Sequence, residues 1–152
     1  MIFKKKKKNK ECKVVHSFYS SLFKTGHPVI TFNCGDKELN FIIDTGSNDS
    51  HICPSAVLKL NTKDYKVSRG EKIKTLTAVS EIDISSYIET TLRYNNVYIY
   101  QRLYLNKELD PMAEALSKEC GIEICGVLGS DFLINTSGII DYKDFIITFH
   151  TN

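Results

Sequence analysis

Along most of this chain the apolar residues recur at every second position or gather in short runs of Val, Ile, Phe and Tyr, a pattern that predicts strands. From His27 onward, residues 28–34 alternate around Val29, Ile30 and Phe32, and Gly35-Asp36-Lys37 supplies a turn. Residues 39–43 form a second strand, so a hairpin ends at Asp44. Thr45-Gly46-Ser47-Asn48-Asp49 interrupts the pattern and residues 50–53 resume it, before Pro54 opens a short helix over 54–60. Three β-branched and aromatic runs follow over 73–84, 87–93 and 97–105, the last two joined by the turn Tyr94-Asn95-Asn96.

One helix is marked at both ends. Asp110 as N-cap, Pro111 as first helical residue and Gly121 as terminator predict a helix over 111–120, with Met112, Ala115, Leu116 and Cys120 toward one face. Residues 124–128 then read as a buried strand, 130–134 as a short helix begun by Ser130 and Asp131, and 139–142 with 145–149 as a closing hairpin. Nothing repeats internally, and 152 residues suit one domain with a sizeable core. The expectation is a single mainly β domain over 14–152.

Composition alters this picture chiefly at the N-terminus. Residues 1–13 carry seven lysines (4–8, 10 and 13) against Glu11, whereas the remainder holds 13 basic and 17 acidic side chains. Five consecutive lysines repel one another and gain nothing by packing, so 1–13 is expected to be a basic disordered tail. Such a tail suits contact with anionic surfaces, and nucleic acid is not an expected partner. The apolar stretch over 14–23 is broken by His16 and three serines and lacks a small-x-small cleavage site, which argues against a secretory signal. The five cysteines (12, 34, 53, 120 and 125) are odd in number and scattered, fitting free thiols in a reducing compartment and a cytoplasmic location. Their spacing offers no metal-ligand set.

Candidate chemistry concentrates at Asp44. The strand Phe41-Ile42-Ile43 fixes its backbone, Gly46 allows close approach of another main chain, and Thr45 and Ser47 bring hydroxyls to either side. Asp-Thr-Gly alone is compatible with a turn in any protein. A second element, Gly126-Val127-Leu128-Gly129-Ser130-Asp131-Phe132-Leu133, makes the pattern specific. Together the two segments resemble the retropepsin-like aspartic proteases, the single-domain homodimeric group that includes retroviral proteases and their bacterial and cellular relatives.

The resemblance covers roughly residues 28–150 and implies an acid-protease fold, a closed β-barrel-like half with one or two short helices. It implies that Asp44 is catalytic, that Thr45, Gly46 and Ser47 support the loop and meet substrate main chain, and that Val127, Leu128 and Gly129 brace that loop. It implies a flap within 71–84, with Thr77, Ala78 and Val79 near its tip. Only one Asp-Thr-Gly is present, so the partner it implies is a second copy, a homodimer with its two-fold axis through the site and a polypeptide as substrate. No metal or other cofactor is required. The sequence departs from the family in having no Gly between Glu71 and Gly121, and in carrying Asn48 and Ser130 where viral relatives often place an Asp–Arg ion pair. Two functions follow: an aspartic endopeptidase with water activated between Asp44 of two protomers, or a catalytically weak peptide-binding or dimerisation module of the same fold. His51, just past the loop, is expected as a cleft-wall residue.

Overall fold

The structure is a computed structural model and describes residues 12–68 and 86–151. Its strands and helices run β1 (Cys12–Ser17), α1 (Tyr19–Thr25), β2 (Val29–Cys34), β3 (Lys37–Ile43), β4 (His51–Ile52), α2 (Pro54–Val57), β5 (Tyr65–Ser68), β6 (Tyr87–Tyr94) and β7 (Val97–Leu105). They continue as α3 (Asp110–Cys120), β8 (Ile124–Leu128), α4 (Ser130–Asn135), β9 (Ile139–Asp141) and β10 (Ile146–Thr151).

The hairpin expected from the sequence is β2–β3, paired from Val29↔Ile42 to Cys34↔Lys37. Its turn begins at Gly35, whose φ of +59 favours glycine, and any Cβ there would also displace the Asp64 carboxylate. From β3 the sheet continues in the order β3-β8-β4-β7-β6, and β6 returns to β2 through Asn33↔Arg93. The strands therefore close on themselves, with β5 added outside β6, and closure removes the open edges that six short strands would otherwise present. β8 lies between parallel β3 and antiparallel β4, and all five of its residues are buried, which is why it reads as an unbroken apolar run.

A second sheet, β1-β10-β9, lies beside the barrel and sends Val14, Ile147 and Phe149 into the common core. At the centre Phe32 meets Phe41, Tyr94, Phe132 and Phe149 with ring centroids 5.9–6.4 Å apart, mostly edge to face, tying β2 and β3 to β6, α4 and β10.

Several details differ from the sequence reading. β1 and α1 have no counterpart in it, and β1 begins at Cys12, inside the stretch assigned to the tail. Cys12 and Lys13 are drawn into the sheet because they pair with Thr151 and His150 at the other end of the chain. Asp110 lies inside the first turn of α3, since a 3-10 turn over Lys107–Leu109 runs directly into the helix, and its carboxylate accepts Ser55 Oγ–H at 2.8 Å. Met112, Ala113 and Leu116 pack on Val29, Ile42 and Ile124, so Ala113 takes the inward place expected for Ala115. Gly121 does end the helix, at φ +69. The strand expected over 73–84 lies outside the described residues.

Candidate active site

β3 delivers Asp44. Its last residue, Ile43, pairs with Leu128 in parallel register, and the Asp44 N–H donates to the Leu128 carbonyl at 3.0 Å. The ladder thus extends one residue past the strand and fixes the Asp44 backbone while the side chain stays exposed. Asp44 Oδ1 accepts the Gly46 N–H at 2.9 Å, and the Ser47 N–H returns to the Asp44 carbonyl at 3.2 Å. A Cβ on Gly46 would approach that carboxylate oxygen to 3.1 Å, so a small residue suits the turn. Among the described residues no ion pair involves Asp44.

The β8–α4 junction closes on the same loop. The first N–H groups of a helix have no partner within it, and here the loop carbonyls serve. Ser130 N–H donates to Ser47 O at 2.8 Å and Asp131 N–H to Asn48 O at 3.1 Å, while Ser130 Oγ–H donates to Thr45 O at 3.3 Å. Such an approach requires an absent side chain at Gly129, where a Cβ would lie 2.5 Å from Ser47 O and 2.7 Å from Asp49 O. Gly126 is under the same constraint from His51 O, at 2.1 Å. Val127 pairs with Ile42 on one side and His51 on the other. Val127, Leu128 and Gly129 therefore do stand beside the loop containing Asp44, Thr45, Gly46 and Ser47. Asn48 and Ser130, where an ion pair was absent from the sequence, are joined to the opposite segment by these main-chain and hydroxyl bonds.

A buried polar hub backs the junction. The Asp131 carboxylate accepts Ser50 Oγ–H at 2.6 Å and Gln101 Nε2–H at 2.9 Å, and Ser50 Oγ accepts the Gly129 N–H at 3.0 Å. Ser50 is 0% and Gln101 2% exposed, so both need partners inside the protein, and Gln101 Nε2 donates to the Arg102 carbonyl at 2.9 Å as well. The sequence reading took Asp131 only as a helix start and passed over Ser50 and Gln101. A signal existed for Gln101: it is the polar residue in the inward register of Val97, Ile99 and Leu103 on β7.

His51 lies in β4, its ring 6.1 Å from that of Tyr104, with Nδ1 buried and unpartnered. Burial pushes its imidazole below the ordinary value, opposed by the negative charges of Asp49 and Asp131. The flap candidates Thr77, Ala78 and Val79 lie outside the described residues. The described strands on either side of that segment are paired, Ser68 opposite Tyr87. Among the described residues no group of three or more His, Cys, Asp or Glu side chains is placed to hold a metal ion.

No protein-family model matches the sequence, and no curated protein does. Solved structures do: a retropepsin-like aspartic protease from Rickettsia conorii matches 93% of this chain and 94% of its own length, with a TM-score of 0.50 at 15% identity. This chain has a retropepsin-like fold. The EIAV protease complexed with the inhibitor HBY-793 is also similar, over 71% of this chain and 86% of its own, with a TM-score of 0.46 and 18% identity. In this retropepsin-like barrel the two motifs that stand far apart in sequence, Asp44-Thr45-Gly46 and Val127-Leu128-Gly129, meet at the shared end of β3 and β8.

Proposed function

We propose that this chain is an aspartic-type endopeptidase that acts as a homodimer, with Asp44 of each protomer supplying half of the catalytic pair. The observation that carries the reading is an exposed carboxylate without an ion-pair partner among the described residues, on a loop fixed by both β8 and α4. A rigid loop displaying a single acid at the surface is half of a site that a second copy would complete.

Two carboxylates brought within hydrogen-bonding distance do not both stay ionised, so the pair holds one proton and titrates as a unit, as is known for aspartic peptidases as a class. The ionised member takes a proton from a water held between them as that water attacks the scissile carbonyl. The protonated member donates to the carbonyl oxygen, giving a gem-diol; as its C–N bond breaks, the proton taken from water passes to the leaving nitrogen and a diol hydroxyl returns its proton to the pair. Thr45 and Ser47 support the pair, Gly46 receives substrate main chain, and Val127, Leu128 and Gly129 hold the loop. The substrate is an extended polypeptide, lying as an added strand beneath a flap that includes Thr77, Ala78 and Val79.

Asp44→Asn tests this. It keeps the Gly46 N–H acceptor and the exposed position, so the protein should fold with an unchanged melting temperature while cleavage of an unfolded protein substrate at mildly acid pH is lost. Cleavage that persists in Asp44→Asn would sink the proposal. The absence of Gly between Glu71 and Gly121 supports a second reading, a catalytically weak peptide-binding or dimerisation module. Peptide affinity measured alongside turnover separates the two.

A further inference from the structure

None of the residues of α1 is fully buried. The helix is held by its flanks: Phe18, just before it, is 1% exposed, and Ser21 Oγ accepts the Val29 N–H at 3.0 Å. Its own aromatic residues face outward. Tyr19 and Phe23, one turn apart, are 56% and 68% exposed with ring centroids 4.8 Å apart. Phe145, from the turn between β9 and β10, meets them at 5.2 and 6.0 Å, and exposed Tyr142 extends the patch through Phe18 at 5.3 Å. Lys24 and Lys143 are exposed on the same two segments, with Asp144 beside the second. An aromatic surface left open in this way marks a place of contact.

The chain ahead of it indicates the contact. Residues 1–11 carry six lysines (4–8 and 10) and one acid, Glu11; they join β1 at Cys12, the end away from the patch, so reaching the same surface takes a length of chain comparable to β1 itself, which eleven residues supply. We propose that α1 and the β9–β10 turn dock on the surface of a bilayer containing anionic lipid, with the lysine run supplying the electrostatic half of the attachment.

Such a surface satisfies both features at once. Its negative potential attracts the lysines, each worth about a fivefold gain in partitioning when near it, and the boundary between headgroups and acyl chains accepts Tyr and Phe. Neither signal is enough alone, because electrostatic attraction fades within about 8 Å at physiological salt and a few rings partition only marginally. No helix among the described residues is long and apolar enough to cross a membrane, so the contact is with the surface. The inference does not depend on the catalytic reading.

The test uses the full chain with vesicles of phosphatidylcholine plus phosphatidylserine, against phosphatidylcholine alone. Binding should require phosphatidylserine and should fall at least tenfold in Tyr19→Ser/Phe23→Ser, which removes two rings that are each more than half exposed, with a melting curve to show that the fold is kept. It should fall further when Lys4 to Lys8 are changed to Gln. The chain contains no Trp, so Phe23→Trp adds a lone indole whose emission should shift to the blue on anionic vesicles. Absence of vesicle binding, binding unaffected by the ring substitutions, or an unshifted indole would each overturn the proposal. So would retention of polyuridylate in place of vesicles, which would make the lysines a nucleic-acid arm.

Discussion

Replacing Asp131 by Ala would leave Ser50 Oγ–H and one of the two Gln101 Nε2–H groups without an acceptor, the other still donating to the Arg102 carbonyl, at sites closed to solvent. Each donor so stranded costs about 1–3 kcal/mol, and in a chain of this size each kcal/mol lowers the melting temperature by roughly 2–4 °C. Part of the damage falls on the candidate site, because Ser50 also receives the Gly129 N–H and Gly129 lies against the Ser47 carbonyl. Asp131→Ala should therefore lower kcat about ten- to hundredfold with a smaller effect on KM, a loss of positioning more than of binding. Asp131→Asn keeps one acceptor oxygen and should fall between parent and Ala. Steady-state kinetics with melting curves for the three proteins check this, and an Ala variant with the parent's kcat would remove Asp131 from the positioning network. At this scale Asp44 and the glycines near it were legible, since a carboxylate after an apolar strand and glycines in an apolar run are rare enough to stand out. Ser50 and Asp131 were not, because a short polar residue beside a loop is unremarkable until the fold buries Ser50 against the Asp131 carboxylate.

The same limit governs the elements. The β2–β3 hairpin, β6–β7, α3 and β8 announced themselves through alternation, turns and caps that act within a few residues. β1 has only Val14 fully buried and owes its existence to β10, more than a hundred residues away, so its local pattern is weak. Besides Val14 in the core, it is linked to the barrel by His16, whose Nε2 lies 3.1 Å from the Val29 carbonyl and Nδ1 2.8 Å from Tyr94 Oη. A carbonyl only accepts, so Nε2 carries a proton, and in the neutral ring Nδ1 then accepts from Tyr94 Oη–H. Burial pushes the imidazole down, only partly opposed by the bond to Val29, and His51 is lowered by burial as well. In the unfolded chain both rings take up a proton near the ordinary value of about 6.5, whereas the folded chain resists until lower pH. Their contribution to stability is complete above that value and lost as pH falls below it. Melting temperature should therefore be flat from neutral to mildly alkaline pH and decline below about 6.5. His16→Gln should be less stable at neutral pH and show a shallower decline. A variant with the parent's pH slope would remove His16 as a contributor. If the chain works best in mild acid, its apparent optimum will then lie above that of the acid pair itself, since stability and protonation pull in opposite directions.

For the whole molecule the decisive quantity is how many chains make one site. A chain with its own complete site has activity strictly proportional to its concentration and indifferent to inactive copies. A chain that supplies half a site behaves otherwise on both counts. Activity per chain should climb with protein concentration and level off once dimers predominate, because dimer formation is second order. On that plateau, adding an equal amount of Asp44→Asn and allowing subunits to exchange distributes the active chains at random. About half of the wild-type chains then sit opposite an inactive partner, so activity per wild-type chain should drop to about half, and further as the excess of Asp44→Asn grows. Asp44 is exposed and the substitution is nearly isosteric, so mixed dimers should form as readily as matched ones. Sedimentation of the mixture verifies that assembly is unchanged. Activity that stays constant across the titration, with exchange demonstrated by a labelled subunit, would mean that each Asp44 works within its own chain. The single Asp-Thr-Gly, the loop fixed by β8 and α4, and the two-fold pairing would then no longer belong to one mechanism.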